Sequence, residues 1–448
     1  MIYNFLRVIV KITLFFFYKK TEVFGKSNIP NKGPLIIVSN HPSTMTDPLL
    51  VASIVKQRIG FIANAGIFKN KLLAKILTYL HIIPIYRKKD VSKGEKPDNA
   101  STFIRCHQYL EEDGTFLIFP EGSSYYELKL RDIKTGTARI ALSYEELNEF
   151  KGNLKIVPIT LDYSDAIQFR SSVSITVNPP IDVSDFKDIY YEDNFKGVKT
   201  LTERIRVEMA KNIPHTEDKN HEEFLIKLHK FYTSYFNPIK HVSKNSGESL
   251  WIRNSMSKIL NEVKMVDKGQ YNCTKDRIFT FFDKLKEEKL STGFLSDGFL
   301  ELNKGLVLLS YVLQFSLLFP FYFLGLVTNY IPYMLPYRIF KSLKIDLEYK
   351  TSVQMITGLF TFPLFYVLEI WLLGSLFEIK TWMYFALPLL FIVSGYIAMY
   401  FYLEFKRFLK VIHYYFFVKG EKKVELILLR DEIMTEVEKV RENTLVIS

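Results

Sequence analysis

"PLIIVSNHPSTMTDPLLVASIVK" runs from Pro34 to Lys56. Its first part, "PLIIVSN", is a short apolar run with β-branched residues and predicts a strand. Its last part, "PLLVASIVK", predicts a helix. Between them, on a strand-to-helix turn, stand His41 and Asp47, each followed by a proline. In open α/β sheets, sites collect where strands end and helices begin. A carboxylate in such a turn can hold and polarise an imidazole, which then takes a proton from a hydroxyl. No serine or cysteine nucleophile is needed if the substrate brings its own hydroxyl. The same residues also read as an ordinary turn, capped by Ser39 or Asn40, with a histidine that only hydrogen-bonds. The stretch alone leaves both open.

Working outward, residues 21–212 have one texture. The β-branched runs "PLIIVSN", "IIPIYR", "TFLIFPEG" and "KIVPITLDY" alternate with helix-like stretches such as "PDNASTFIRCHQYLEED", which Gly114 closes. That alternation predicts an α/β domain, a mostly parallel sheet flanked by helices. Residues 1–20 precede it as a separate element. "MIYNFLRVIVKITLFFFY" places Phe5, Val8, Ile12, Phe15 and Phe16 on one helical face, with Arg7 and Lys11 interrupting and Lys19 and Lys20 following. The pattern predicts a membrane-interface helix with its basic residues toward lipid headgroups; a packed first helix of the soluble domain is the other reading. No small-residue cleavage site marks a secretory signal.

Residues 213–300 are highly charged, lack strand signals and predict helical pieces, as in "HEEFLIKLHKFY". They form an insert or linker with no motif of their own. Residues 301–404 are a membrane region. Gly305–Tyr337 carries no charge, Thr351–Phe377 carries only Glu369, and Thr381–Leu403 carries none. The last two predict spans near 351–377 and 381–403. The first contains Pro320, Pro332 and Pro336 and is expected to be a re-entrant hairpin over 305–337. Arg338, Lys341, Lys344 and Lys350, and then Lys406, Arg407 and Lys410, place the 338–350 loop and the 405–448 tail on the cytoplasmic side. The expected location is an integral membrane protein whose N-terminal domain faces the cytoplasm.

Composition agrees with lipid contact. The 448 residues include 38 Phe and 27 Tyr, and the net charge is +11. A basic balance suits anionic lipid surfaces, anionic small substrates or nucleic acid. No zinc-type spacing or RNA-binding signature supports the last, so no nucleic-acid partner is expected. The two cysteines, Cys106 and Cys273, exclude a disulfide framework and fit a reducing compartment.

Two further blocks follow strands, a third stretch precedes a helix, and a fourth is itself a strand. In "IPIYRKKD", Arg87 offers a permanent bidentate partner for phosphate. In "FPEGSS", Gly122 lets backbone N–H groups approach an anion and Glu121 can orient a hydroxyl or a basic partner. In "LRDIKTGTARIAL", Lys134 stands just ahead of a helix N-terminus, a combination suited to an anion. "VPITL", residues 157–161, is an apolar strand whose Pro158 can shape a pocket wall.

Taken together and in this order, Asn40-His41 with Asp47, Arg87, Phe119 to Gly122 and Val157 to Ile159 resemble the four motif blocks of the glycerophospholipid acyltransferase superfamily. The likeness covers about residues 21–210. The usual first block has four residues between His and Asp, whereas "PSTMT" makes five here. That spacing resembles a branch that includes glycerol-3-phosphate and dihydroxyacetone-phosphate acyltransferases, many with C-terminal membrane segments. A basic residue often follows "FPEG"; here Ser123, Ser124, Tyr125 and Tyr126 follow, and Arg131 or, by the "K-x-G" pattern, Lys134 supplies the charge.

The resemblance implies a glycerolipid acyltransferase fold and transfer of an acyl chain to a hydroxyl of glycerol 3-phosphate or dihydroxyacetone phosphate. The His41 and Asp47 pair would be catalytic. Arg87, Gly122 and Lys134 would bind the phosphate, with Glu121 positioning the acceptor or Arg87. The donor would be acyl-CoA or acyl-carrier protein, with no cofactor and no metal. Other acceptors stay open: 1-acylglycerol 3-phosphate, giving phosphatidic acid, or another lyso-lipid. A non-catalytic membrane scaffold is the reading from a different class.

Overall fold

Strand β2 (Leu35–Ser39) is buried at every position, as a strand must be when both faces of its sheet are covered. The structure, a computed structural model, describes residues 2–68, 70–85, 100–235, 246–296 and 302–445. The remaining strands are β1 (Lys20–Phe24), β3 (Ile59–Asn64), β4 (Ile82–Ile85), β5 (Thr115–Ile118), β6 (Lys155–Tyr163), β7 (Ser172–Val177) and β8 (Ile181–Asp182). They lie in the order β1-β7-β6-β2-β5-β3-β4, with β8 beside β6. All pairings are parallel except β6 with β7 and with β8. This is the mostly parallel sheet flanked by helices that the alternating texture predicts.

Helices α2 (Thr46–Ile54), α3 (Lys71–Tyr79), α4 (Ala100–Glu111), α5 (Gly136–Leu147), α6 (Lys187–Glu192) and α7 (Asn194–Ala210) belong to this domain. Ile36, Val38, Phe116 and Ile156 pack in one apolar cluster with Cys106 and Leu110 of α4, Ile140 and Leu142 of α5, and Leu201 and Ile205 of α7. Side chains alternate along a strand, so Ile37, equally buried, serves the opposite face. Burying such residues contributes about 1.5–3 kcal/mol each. The parallel centre brings the carboxyl ends of β2, β5 and β6 to one edge, where the candidate site lies.

The first helix, α1 (Ile2–Phe17), docks by Leu14 and Phe17 while Phe5, Val8, Ile12 and Phe15 stay exposed. Arg7 departs from the expectation that it faces headgroups. Its guanidinium donates to the carbonyls of Val55 and Lys56 at the end of α2. Unpaired carbonyls at a helix C-terminus attract a cation, and that local partner holds Arg7.

The chain divides into two compact units. The first contains residues up to Thr216, the start of α9 as far as Asn254, and Asp346–Ser352; the second contains the other segments. In the second, α8 (Lys219–Tyr235), α9 (Ser246–Val266) and α10 (Lys268–Glu287) are the helices of the charged region. Fully buried Phe231 and Phe281 meet edge to face at 5.3 Å. The C-terminal segment is not a separate tail. Helix α14 (Gly420–Leu445) buries Leu426 and Ile433, and it pairs Glu436 with Arg277 at 3.1 Å and Glu425 with Lys284.

Among the described residues, three helices are long and apolar enough to cross a membrane: α11 (Lys304–Leu343), α12 (Lys350–Leu376) and α13 (Met383–Phe416). The hairpin expected over 305–337 is replaced by the single continuous helix α11, with Pro320, Pro332 and Pro336 inside it. Each proline forfeits one backbone bond. A chain reversal in an apolar region would leave several polar groups unpaired, which costs more. At about 1.5 Å per residue α11 is about 60 Å long, twice the ~30 Å hydrocarbon core. Buried Asn329 ties the three helices together. Its amide donates to the Phe391 carbonyl at 3.0 Å, and it accepts from the Tyr366 hydroxyl at 2.6 Å. Gly325 permits close approach, since a Cβ there would overlap the Ser394 carbonyl.

Candidate active site

β2 ends at Ser39, and the next residue fixes how the chain leaves the sheet. The Asn40 amide donates to the Leu161 carbonyl at 2.9 Å and accepts from the Leu161 N–H at 2.8 Å. Asn40 thus continues the β2–β6 ladder by its side chain and turns its own backbone free. His41 follows at the sheet edge, and α2 begins at Thr46. Asp47, fully buried, sits in the first turn of α2, where a negative charge is favoured by the helix dipole.

Asp47 and His41 are in contact. Asp47 Oδ2 is 2.8 Å from His41 Nδ1 and accepts the Ser43 N–H at 2.7 Å, while Oδ1 accepts the Tyr163 hydroxyl at 2.5 Å. The Tyr163 phenol is pushed well above its ordinary pKa by burial first and the Asp47 charge second, so it remains a donor. His41 stacks on Phe119, with ring centroids 3.8 Å apart and planes 11° apart. With Nδ1 committed to Asp47, Nε2 is the nitrogen left to take a proton, and the His41 side chain is 18% exposed. A buried carboxylate, three partners and a stacked ring pre-organise one imidazole at the sheet edge.

Glu121 departs from its expected role. Its Oε1 accepts from the His41 N–H at 3.1 Å and its Oε2 from the Arg131 N–H at 3.2 Å. Burial raises its pKa, and these two backbone bonds, with the His41 charge, oppose the rise. The carboxylate therefore ties the "FPEG" turn to the histidine turn. Gly122 also differs: its N–H donates to the Phe119 carbonyl at 3.0 Å and closes a turn, so it is not offered to an anion. What needs glycine there is a φ of +75° and the Lys134 ammonium, which a Cβ would strike.

That contact places Lys134 against the turn it was expected to serve. Its side chain is exposed, and among the described residues it has no ion-pair partner. Arg131, the other candidate, is already spent. It holds Glu127 by two bonds, 3.0 and 2.6 Å, and lies 3.5 Å from the Tyr125 ring centroid. Arg87 lies outside the described residues. Val157, Pro158 and Ile159 are buried strand positions, with Pro158 paired to Val38 across the sheet.

Three residues that hold the pair were not singled out in the sequence. Tyr163 ends β6, the neighbour of β2. A strand that ends at the same edge as the histidine is the signal that points to it. Ser124 donates its hydroxyl to the His41 carbonyl at 2.7 Å. Arg253, on α9, pairs with Asp162 and donates to the Tyr163 carbonyl at 2.7 Å. Nothing local marks Arg253, because its partner is distant in sequence.

The family model described as Acyltransferase matches residues 20–162, which include the turn, the "FPEG" block and β6 up to Asp162. The chain is similar to the 1-acyl-sn-glycerol-3-phosphate acyltransferase of Borreliella burgdorferi, 27% identical over 215 residues, 46% of this chain and 77% of that protein. A chloroplastic 1-acyl-sn-glycerol-3-phosphate acyltransferase of Brassica napus is 27% identical over 180 residues, 40% of this chain and 47% of that protein. Glycerol-3-phosphate O-acyltransferase 1 of Saccharomyces cerevisiae is 30% identical over 113 residues, 25% and 15% of the two chains. The chain thus spans about half the length of the plant relative and less of the yeast one. Among solved structures, the 1-acyl-sn-glycerophosphate acyltransferase of Thermotoga maritima matches at 20% identity and a TM-score of 0.34. The match covers 46% of this chain and 78% of that one.

Proposed function

We propose, from the premise that residues 20–162 are a domain of the glycerophospholipid acyltransferase superfamily, that the chain transfers an acyl group from a thioester to a glycerol hydroxyl of a phosphate-bearing acceptor. The observation that carries this is the 2.8 Å contact between His41 Nδ1 and a fully buried Asp47. In this scheme His41 Nε2 takes the proton of the acceptor hydroxyl as its oxygen attacks the thioester carbonyl. The carbon–sulfur bond breaks, and the proton passes from Nε2 to the departing thiolate. No acyl-enzyme forms. Acyl-CoA or acyl-carrier protein serves as donor.

Lys134 supports the phosphate end of this reading, because it is a cation beside the "FPEG" turn with no counter-ion among the described residues; Arg87 joins it by resemblance. The five-residue spacing between His41 and Asp47 favours glycerol 3-phosphate as acceptor. The Borreliella relative, matched over most of its length, favours the 1-acyl form as a second reading. Membranes containing the protein, given labelled acyl donor with either acceptor, separate the two. Formation of 1-acylglycerol 3-phosphate supports the first reading and phosphatidic acid the second. Labelled product from neither acceptor overturns both.

The three apolar helices associate the protein with a membrane, and the catalytic domain is proposed to face the cytoplasm, where acyl thioesters are made. A cysteine at Asp346 is expected to label from the same membrane face as one at Lys151. Labelling from opposite faces would contradict this.

A further inference from the structure

The turn that carries His41 is held from a distant part of the chain. Ser43, Thr44, Thr351 and Ser352 are all buried, and their hydroxyls form two pairs in step. Ser43 Oγ is 2.6 Å from Thr351 Oγ1, and Thr44 Oγ1 is 2.6 Å from Ser352 Oγ. The Met45 N–H donates to Ser352 Oγ at 3.0 Å, and the Thr44 hydroxyl reaches the Glu348 carbonyl at 3.2 Å. The Glu348 carboxylate accepts the Tyr126 N–H at 3.4 Å, next to the "FPEG" turn. Thr351 and Ser352 stand at the start of α12, just after the short connection from α11.

These contacts bear on the reaction because of what else the turn holds. Thr44 has a φ of +32°, a left-handed backbone that a β-branched residue adopts only when its surroundings impose it. Its neighbour Ser43 donates its N–H to Asp47 Oδ2, the oxygen that also holds His41. A strained turn relaxes when its clamps are removed. Relaxation here would move the Ser43 N–H and with it the carboxylate that orients the imidazole. Misplacement by about 1 Å costs as much as 10²-fold in rate.

We propose that Thr351 and Ser352 are positioning residues for the His41–Asp47 pair, so that the first turn of α12 completes the active site. The inference rests on the acyl-transfer reading above and adds to it that catalysis depends on these two hydroxyls at the start of α12. Neither touches substrate in this account; both act through Ser43 and Thr44.

The test uses the full chain in membranes or detergent, with acyl-CoA and the acceptor it uses. The double variant Thr351→Val, Ser352→Ala is expected to lower kcat about tenfold or more, with KM for donor and acceptor within about twofold. Thr351→Ser, which keeps the hydroxyl, is expected to stay within about twofold of wild type. A double variant with unchanged kcat would overturn the proposal. So would a loss carried mainly by KM, or an equal loss in Thr351→Ser. If the double variant does not fold, Ser352→Ala alone decides, and wild-type kcat there overturns the proposal as well. An inactive wild type would sink the acyl-transfer reading itself, a result distinct from every outcome of the variants.

Discussion

The turn from Asn40 to Asp47 and the helix α11 satisfy their polar groups in opposite ways. In the turn, side chains do it. The Asn40 amide replaces a strand, the Asp47 carboxylate collects three donors, and Glu121 and Ser124 hold the His41 backbone. In α11 the main chain does it, through a continuous helix that runs across three prolines. A turn at a sheet edge has no regular backbone pattern, so removing one side chain leaves a buried partner unmatched. A long helix has one pattern throughout, and outside a tie such as Asn329 a single side chain changes little. Sensitivity to substitution is therefore expected in the first region, and tolerance in the second.

That contrast is broken or sharpened by substitutions of decreasing expected effect. Asp47→Asn keeps the shape but removes the charge that holds the imidazole, and kcat is expected to fall about 10³-fold. Steady-state kinetics on the purified variant check it, and a fall of less than tenfold would remove Asp47 from the scheme. Tyr163→Phe deletes one donor and leaves a buried carboxylate oxygen short of a partner, a cost of about 1–3 kcal/mol. Thermal unfolding should register it, together with a fall in kcat of about tenfold.

Lys134→Ala removes the cation proposed to hold the part of the substrate that does not react. It is expected to raise the acceptor KM about tenfold with kcat nearly unchanged, read by varying the acceptor at saturating donor. The smallest effect belongs to the helix. Pro320→Leu restores a backbone bond in α11, so activity should stay within about twofold and stability should hold or rise. A large loss of activity there would mean that a bend at Pro320 has a function the contrast denies.

Half of the strands, β2, β4, β5 and β6, were legible because each is a short β-branched run closed by turn residues, and the mostly parallel order because the alternation with helices admits few topologies; β1, β3, β7 and β8 were not singled out. His41 and Asp47 were picked out because they stand between a strand run and a helix, and Lys134 because it stands just ahead of one. The inward roles of Glu121 and Gly122 were not. Sequence shows that a carboxylate and a flexible residue stand beside the site, but not that neighbouring N–H groups and carbonyls satisfy them first. The hold exerted by Tyr163, Arg253, Thr351 and Ser352 was hidden for a different reason: each meets a residue at least 90 positions away. The hairpin expectation came from the charge rule, which put 338–350 and the N-terminal domain on one face and so required 305–337 to turn back at its prolines. In an apolar region a lost bond costs less than a reversed chain.

The central claim is that the His41 imidazole takes the acceptor's proton during transfer from a thioester. It is tested most directly by following free thiol released from acyl-CoA by the wild type and by His41→Ala, with and without the phosphate-bearing acceptor. The account predicts acceptor-dependent thiol release by the wild type, and a rate at least about 10³-fold lower in the variant, with its fold and membrane insertion intact. Comparable release by His41→Ala would contradict it.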